Sequence, residues 1–255
     1  MLLKKKTYDL QEGERLDDLI IDGLKIFQHE QQFCFSLDAV LLAHFAFLKK
    51  QAYCADLGTG TGVISLLLAA RGAQKIEAIE LNPVTASLAE RSISYNNLSH
   101  IITVQHADFR DIAKFLVAGS MDLVVSNPPY RPLNKGAVNN FDAVARARHE
   151  INGTLQDVID AAKYLLKFRG RFAMVHLPER LGEIMVAMHQ AGIEPKRLQL
   201  VHSLPDRSPT MVLIEGVLGA KPGIDVAEPF IVHNPDGSYT KRLLDYYQLN
   251  DLSEK

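Results

Sequence analysis

The chain has 255 residues, 28 Lys and Arg against 30 Asp and Glu, a net charge of −2, and 47% hydrophobic residues. That is apolar material enough for one large domain with a substantial core, and too little positive charge for a nucleic-acid binder working by bulk charge alone, although a local basic face stays open. No apolar run is long enough to span a bilayer. The lysines of "MLLKKKTYDL" lead into no secretory-type apolar stretch, and Cys34 and Cys54 read as buried free thiols, so the expected setting is cytoplasmic, without a disulfide or a metal.

Residues 1–50 read as an appendage. In "DDLIIDGLKIFQ", Asp22-Gly23 between two apolar runs predicts a hairpin. "FCFSLDAVLLAHFAFL" predicts a strand feeding a helix, with Ser36 as its N-cap. Residues 51–218 form the core, and their rhythm alternates. Strands are expected at "YCADLG", "KIEAIEL", "IITVQHAD", "MDLVVSN", "RFAMVHL", "PKRLQLVHS" and "TMVLIEGVL". Helices fall between the first six, among them one over "TLQDVIDAAKYLLKFRG" that stops at Gly170. Residues 219–255 are an extension with a second hairpin expected about Asn234-Pro235-Asp236-Gly237. No internal repeat appears. The alternation predicts an α/β fold: a doubly wound seven-stranded sheet, mostly parallel, whose last two strands, lacking a helix between them, form an antiparallel edge hairpin. In such sheets ligands bind beyond the carboxyl ends of the strands.

The first strand ends in "DLGTGTG", residues 56–62. Gly58, Gly60 and Gly62 permit a tight turn and, around Thr59, close approach of a ligand to backbone N–H groups. A dinucleotide loop reads G-x-G-x-x-G. Here the third glycine comes one residue early, and Asp56 precedes the turn, an anion that suits a cationic ligand better than a pyrophosphate. The second strand ends in Glu80, placed to accept ribose hydroxyls, followed by Leu81. The third ends in "HADF", where Asp108 is placed to accept from an adenine amine while Phe109 and Leu81 flank the ring. Any one of these alone reads as a tight turn or a cap. The series at three successive strand ends describes a site for a nucleoside carrying a charged amino-acid tail, and S-adenosyl-L-methionine fits that description.

"DLGTGTG", "IELN", "HADF" and "NPPY", in this order over roughly residues 36–217, resemble the Rossmann-like S-adenosylmethionine-dependent methyltransferases of the amino-methylating branch. "FSLDAVLLAHF" and "DGSYTKRLLDYY" are similar to segments of the bacterial tRNA(Val) adenine-N6 methyltransferase-like proteins. The resemblance implies methyl transfer to an exocyclic amino nitrogen, N6 of an adenine in tRNA foremost, with S-adenosyl-L-homocysteine as product. The planar –NH2 of such a target is a poor nucleophile, improved when both hydrogens are held by acceptors. The Asn127 side-chain oxygen and the Pro128 carbonyl are the two candidates, with Pro128 and Pro129 stiffening the corner. Tyr130 offers a face for an unpaired or flipped base.

Arg131, Lys135, Arg146 and Arg148 follow in a basic loop, a candidate phosphate grip or lid, as are the lysines at 4–6. Each is equally well a solvated surface charge. Asp38 is a candidate for the methionine end of the cofactor, against the plainer reading of first-turn charge with Ser36 as cap. The same corner serves a glutamine carboxamide in a protein, an adenine in DNA or a guanine in rRNA. The short leader disfavours the protein-glutamine reading. A catalytically silent cofactor- or RNA-binding scaffold is the non-enzyme reading, disfavoured by intact Asp56, Glu80 and Asn127.

Overall fold

The computed structural model describes residues 9–32, 36–128 and 153–247. Two short strands, β1 (Glu14–Asp18) and β2 (Lys25–His29), pair antiparallel ahead of the core. Asp22 (φ 50°) and Gly23 (φ 67°) both adopt the left-handed conformation, and Leu24 N–H donates to Ile21 O at 2.9 Å. This is the hairpin turn that Asp-Gly favours. Helix α1 (Leu37–Phe45) is buried on nearly all sides, so it is a core helix rather than an amphipathic cover. Ser36 occupies its N-cap position but makes no capping bond; its hydroxyl donates to Asp38 Oδ1 instead. The strand expected over 33–35, and Cys34 with it, lies outside the described residues.

The core then runs β3 (Tyr53–Leu57), α2 (Val63–Ala70), β4 (Lys75–Glu80), α3 (Pro83–Tyr95), β5 (Ile102–His106), a 3₁₀ helix (Phe109–Lys114), β6 (Met121–Ser126), α4 (Leu155–Leu165), β7 (Leu166–His176), α5 (Leu181–Gln190), β8 (Ile193–His202) and β9 (Pro209–Leu218). Short β10 (Asp225–Val226), β11 (Phe230–Ile231) and helix α6 (Lys241–Tyr246) complete it. In the main sheet β5, β4, β3, β6 and β7 are parallel, followed by β9, then β8. The antiparallel pair β8–β9 forms as expected, but β9 lies inside the sheet, antiparallel to both β7 and β8. Its apolar run buries Val212, Leu213 and Ile214, as an interior strand should. The outer edge of β8 is covered by β10 and β11, both parallel to it. The turn at 234–237 forms, with Asn234 N–H donating to Ser238 O at 2.8 Å, but pairing around it stops at one bridge, His233–Tyr239. The following residues close into α6 rather than a returning strand.

One boundary moves. The helix expected to reach Gly170 ends at Leu165, and Leu166–Gly170 already belong to β7. Leu165 and Leu166 continue the helical apolar spacing, which hid the break. Arg169 stands at φ 69°, and a Cβ on Gly170 would come within 2.8 Å of Lys167 O and 3.1 Å of Met121 O. The register of β6 on β7 shifts there, so the segment is a bulge.

Hydrophobic layers cover both faces. One joins α1 and α2 with Leu19 and Ile26 of the hairpin and with Phe230 and Leu243 of the C-terminal segment. The other joins α4, α5 and Phe109. No described helix is long and apolar enough to cross a membrane.

Candidate functional site

The carboxyl ends of β3, β4, β5 and β6 lie side by side, so Asp56, the glycine turn, Glu80, Asp108 and Asn127 converge there. Beyond β3, Gly58, Gly60 and Gly62 take φ values of 73°, 59° and 93°. Among the described residues a Cβ on Gly58 or Gly60 would meet no atom within 4 Å, whereas one on Gly62 would press on Ala89 Cβ at 3.4 Å. The first two leave open space above the loop, and the third lets α2 and α3 approach. Gly58 and Thr59 N–H groups both donate to Ile79 O, at 2.9 and 3.0 Å.

Asp56 sits beneath this turn, wholly buried. Its Oδ2 accepts from the Thr59 hydroxyl at 2.6 Å and the Ser65 hydroxyl at 2.8 Å, while Oδ1 has no partner among the described residues. Burial pushes its carboxyl up to about 6, against the pull of those two hydroxyls. Ser65 was missed in the sequence; a lone hydroxyl inside the apolar run "VISLLLAA" is its signal.

Glu80, almost fully buried, accepts Gly60 N–H and Asn82 N–H, each at 2.8 Å, and so ties the two neighbouring strand ends together. Two hydrogen bonds leave roughly half of a carboxylate's four acceptor sites. Asn82 caps α3 through Val84 N–H, with Pro83 in the first turn, and donates to Gln32 Oε1 at 3.2 Å. Leu81 is half-buried, its carbonyl 3.1 Å from His106 Nε2. Asp108 caps the 3₁₀ helix and is engaged by the Arg110 guanidinium. Burial pushes this carboxyl up, but the Arg110 guanidinium and N–H outweigh it and hold the pKa below the usual value. Phe109 is buried against Gly153, where a Cβ would come within 2.9 Å of Phe109 Cζ.

Asp38 is buried in the first turn of α1 and accepts from the Ser36 hydroxyl and from Ala39 N–H, the latter at 2.9 Å. At the end of β6, Ser126 is registered with Leu57 and its hydroxyl donates to Leu57 O at 2.8 Å. Asn127 therefore leaves β6 at the level where Gly58 leaves β3. Asn127 and Pro128 are half-buried. Pro129, Tyr130, Arg131, Lys135, Arg146 and Arg148 lie outside the described residues. Cys54 is buried in β3, its thiol pushed up to about 12 by burial, with Asp122 adding to the effect.

The model of the methyltransferase small domain matches residues 36–187, more than half of the chain. The chain belongs to this methyltransferase family. A tRNA1(Val) (adenine(37)-N6)-methyltransferase of Porphyromonas gingivalis is 31% identical over 194 residues, covering 74% of this chain and 75% of that protein. One from Tolumonas auensis is 29% identical over 226 residues, covering 86% and 92%. Among solved structures, a predicted O-methyltransferase from Agrobacterium tumefaciens superposes with a TM-score of 0.68 at 22% identity, covering 83% of this chain and 96% of that one; this likeness establishes the fold.

The methyltransferase family implies S-adenosylmethionine as cofactor, and the site fits it. The loop after β3 is a cradle that side chains at 58 and 60 would fill, and a carboxylate with spare acceptor capacity stands beside it. The protein is an S-adenosylmethionine-dependent methyltransferase.

Proposed function

We propose that this methyltransferase modifies N6 of an adenine in RNA, with tRNA as the substrate, in the cytoplasm. The observation that carries the reading is the level of Asn127: it follows Ser126, which is paired with Leu57 immediately before the glycine turn. In this reading the Asn127 amide oxygen serves the methyl-donor end of a ligand lying along the turn. The cofactor, when bound, supplies a methyl group on a sulfonium.

The chain's own residues do the rest. Glu80 uses its spare lone pairs for the ribose hydroxyls, Asp108 accepts from the adenine amine, and Leu81 and Phe109 flank the ring. Gly58, Thr59 and Gly60 line the cradle. Asp56 and Asp38 supply negative charge toward the cationic and amino-acid portions. Asn127 Oδ1 and Pro128 O accept the two hydrogens of the target amine and favour a more tetrahedral nitrogen, which is electrostatic preorganisation toward the ammonium that develops. Tyr130 stacks the target base, and Arg131, Lys135, Arg146 and Arg148 hold nearby phosphates. The relatives named for tRNA adenine-N6 methylation support the choice of substrate.

The test is transfer of labelled methyl groups from the cofactor to total RNA, DNA and protein fractions, followed by nucleoside and amino-acid analysis. The expected product is N6-methyladenosine in the tRNA fraction. Label in glutamine, in DNA adenine or in rRNA guanine would overturn the substrate assignment.

A further inference from the structure

The amino ends of β3, β6 and β7, opposite the cofactor end of the sheet, open onto a cleft of about 250 Å3. Lys49, Lys167, Arg169 and Arg171 line it, with Asp122 the one acid among the described lining residues. Two exposed aromatic rings line it, Phe47 (51%) and Phe168 (77%), and a third, Tyr53 (41%), follows the lining residue Ala52 and donates its N–H to Asp122 Oδ2 at 3.0 Å. Two of the cations already lie over rings, Arg171 at 4.4 Å from the centre of Phe47 and Lys167 at 5.3 Å from that of Tyr53.

The cations divide into two pairs. Lys167 is bound to Asp122 Oδ2 at 2.9 Å, and Arg171 to the wholly buried Glu215 at 2.6 Å. These two fix the walls. Lys49 and Arg169 make no ion pair or side-chain hydrogen bond with any described residue. The bulge in β7 puts Phe168 and Arg169 out of the sheet side by side, with Arg169 in the left-handed conformation. Phe168 rests on Gly219, where a Cβ would collide with the ring. Neither residue contributes to the core, and a strained arginine beside an exposed phenylalanine is costly for folding alone; such features mark function.

Flat aromatic faces interleaved with uncommitted cations suit a chain that alternates bases and phosphates. We propose that this cleft is a second RNA-binding surface, holding a nucleotide and its phosphates away from the reacting base. Lys49 and Arg169 pair with phosphates, and Phe168 stacks a base. The proposal rests on the RNA reading given above. Asp122 and Asn127 mark the two ends of β6, about 17 Å apart at about 3.3 Å per residue, a span that a few nucleotides of one folded RNA cover.

The experiment measures binding of an unmodified tRNA(Val) transcript by fluorescence anisotropy over a salt series, for wild type, Phe168→Ala, Arg169→Gly and the double variant Lys49→Ala/Arg169→Gly. Phe168→Ala should weaken binding about tenfold, within the range of one lost base stack. The double variant should lower the slope of log affinity against log salt by about 1.4, as for two single-strand phosphate contacts. Arg169→Gly relieves the backbone, so it should bind RNA more weakly while melting no lower than wild type, a combination that a merely structural arginine does not give. Cofactor affinity should stay unchanged in all variants.

If wild type methylates the transcript and the variants bind it with unchanged affinity and slope, the cleft assignment is overturned and the RNA reading stands. If wild type neither binds nor methylates any RNA, the RNA reading itself fails and takes the cleft with it. Inorganic polyphosphate competing as well as RNA, with no effect of Phe168→Ala, would show a polyanion site and overturn the base-stacking role.

Discussion

Asp56, Glu80 and Asp108 were readable as single residues because each is an acid at the end of an apolar run. Their partners were not. Glu80 grips two backbone N–H groups, and Asp108 is held by Arg110 two residues on; both depend on how the loops fold back. Asp56 makes the sharpest residue-scale prediction. Its folded pKa of about 6 lies above its unfolded value, so burial penalises the ionised form. Below about pH 4 both states are protonated and no penalty exists. As pH rises through 4 to 6 the wild type should lose up to about 3 kcal/mol of stability relative to Asp56→Asn, measurable by urea unfolding at each pH. A cation bound nearby favours the ionised form, so cofactor affinity should rise between pH 5 and 7 in the wild type and stay flat in Asp56→Asn. A flat wild-type profile would refute a charge role for Asp56. Asn127→Ala should leave cofactor affinity, read by calorimetry, within about twofold while cutting turnover at least a hundredfold, as for loss of one preorganised polar group. Equal loss of both would contradict its assigned part.

At the scale of elements, the strand–helix alternation of the core was legible because the apolar period changes with each segment. The boundary between α4 and β7 was not, since the helical spacing runs on through Leu165 and Leu166 and only the backbone at Arg169 and Gly170 reveals the bulge. The start of α4 is firmer. Thr154 and Asp157 form a reciprocal capping box, with Thr154 N–H donating to Asp157 Oδ2 at 2.7 Å and Asp157 N–H to Thr154 Oγ1 at 3.2 Å. Thr154→Ala should cost about 1 kcal/mol and lower the melting temperature by about 2–4 °C, as checked by calorimetry. Thr154→Ser should restore most of it. The N-terminal hairpin was legible from Asp22-Gly23 alone. Its attachment to α3, through the paired Glu14 and Arg91 at 2.6 Å and Phe27 N–H to Ser92 Oγ at 2.9 Å, joins residues 65 or more positions apart and leaves no local trace.

For the whole molecule, composition and alternation were enough to read a doubly wound sheet, but not the place of β9, because a strand's neighbours are set by long-range packing. The C-terminal segment shows the same dependence. Phe230, Val232 and Leu243 are buried in the layer that also holds α1 and α2, and Tyr246 stacks on His44 with ring centres 4.2 Å apart. At about 1.5–3 kcal/mol per buried side chain, these three contribute an amount comparable with the roughly 5–15 kcal/mol that holds a domain folded. A chain ended at residue 218 should therefore unfold without a cooperative transition or at a much lower temperature in a thermal scan. An unchanged melting curve would show that the extension is dispensable.

The insertion of β9 between β7 and β8 carries a consequence for synthesis. During translation β7 and β8 both leave the ribosome before the strand that joins them. Until residues 209–218 follow, each offers a bare row of backbone donors and acceptors to any passing chain. The nascent polypeptide closes this gap only with β9, and the outer edge of β8 later still, when β10 and β11 follow, so the window in which it needs shelter by a chaperone outlasts the completed cofactor pocket.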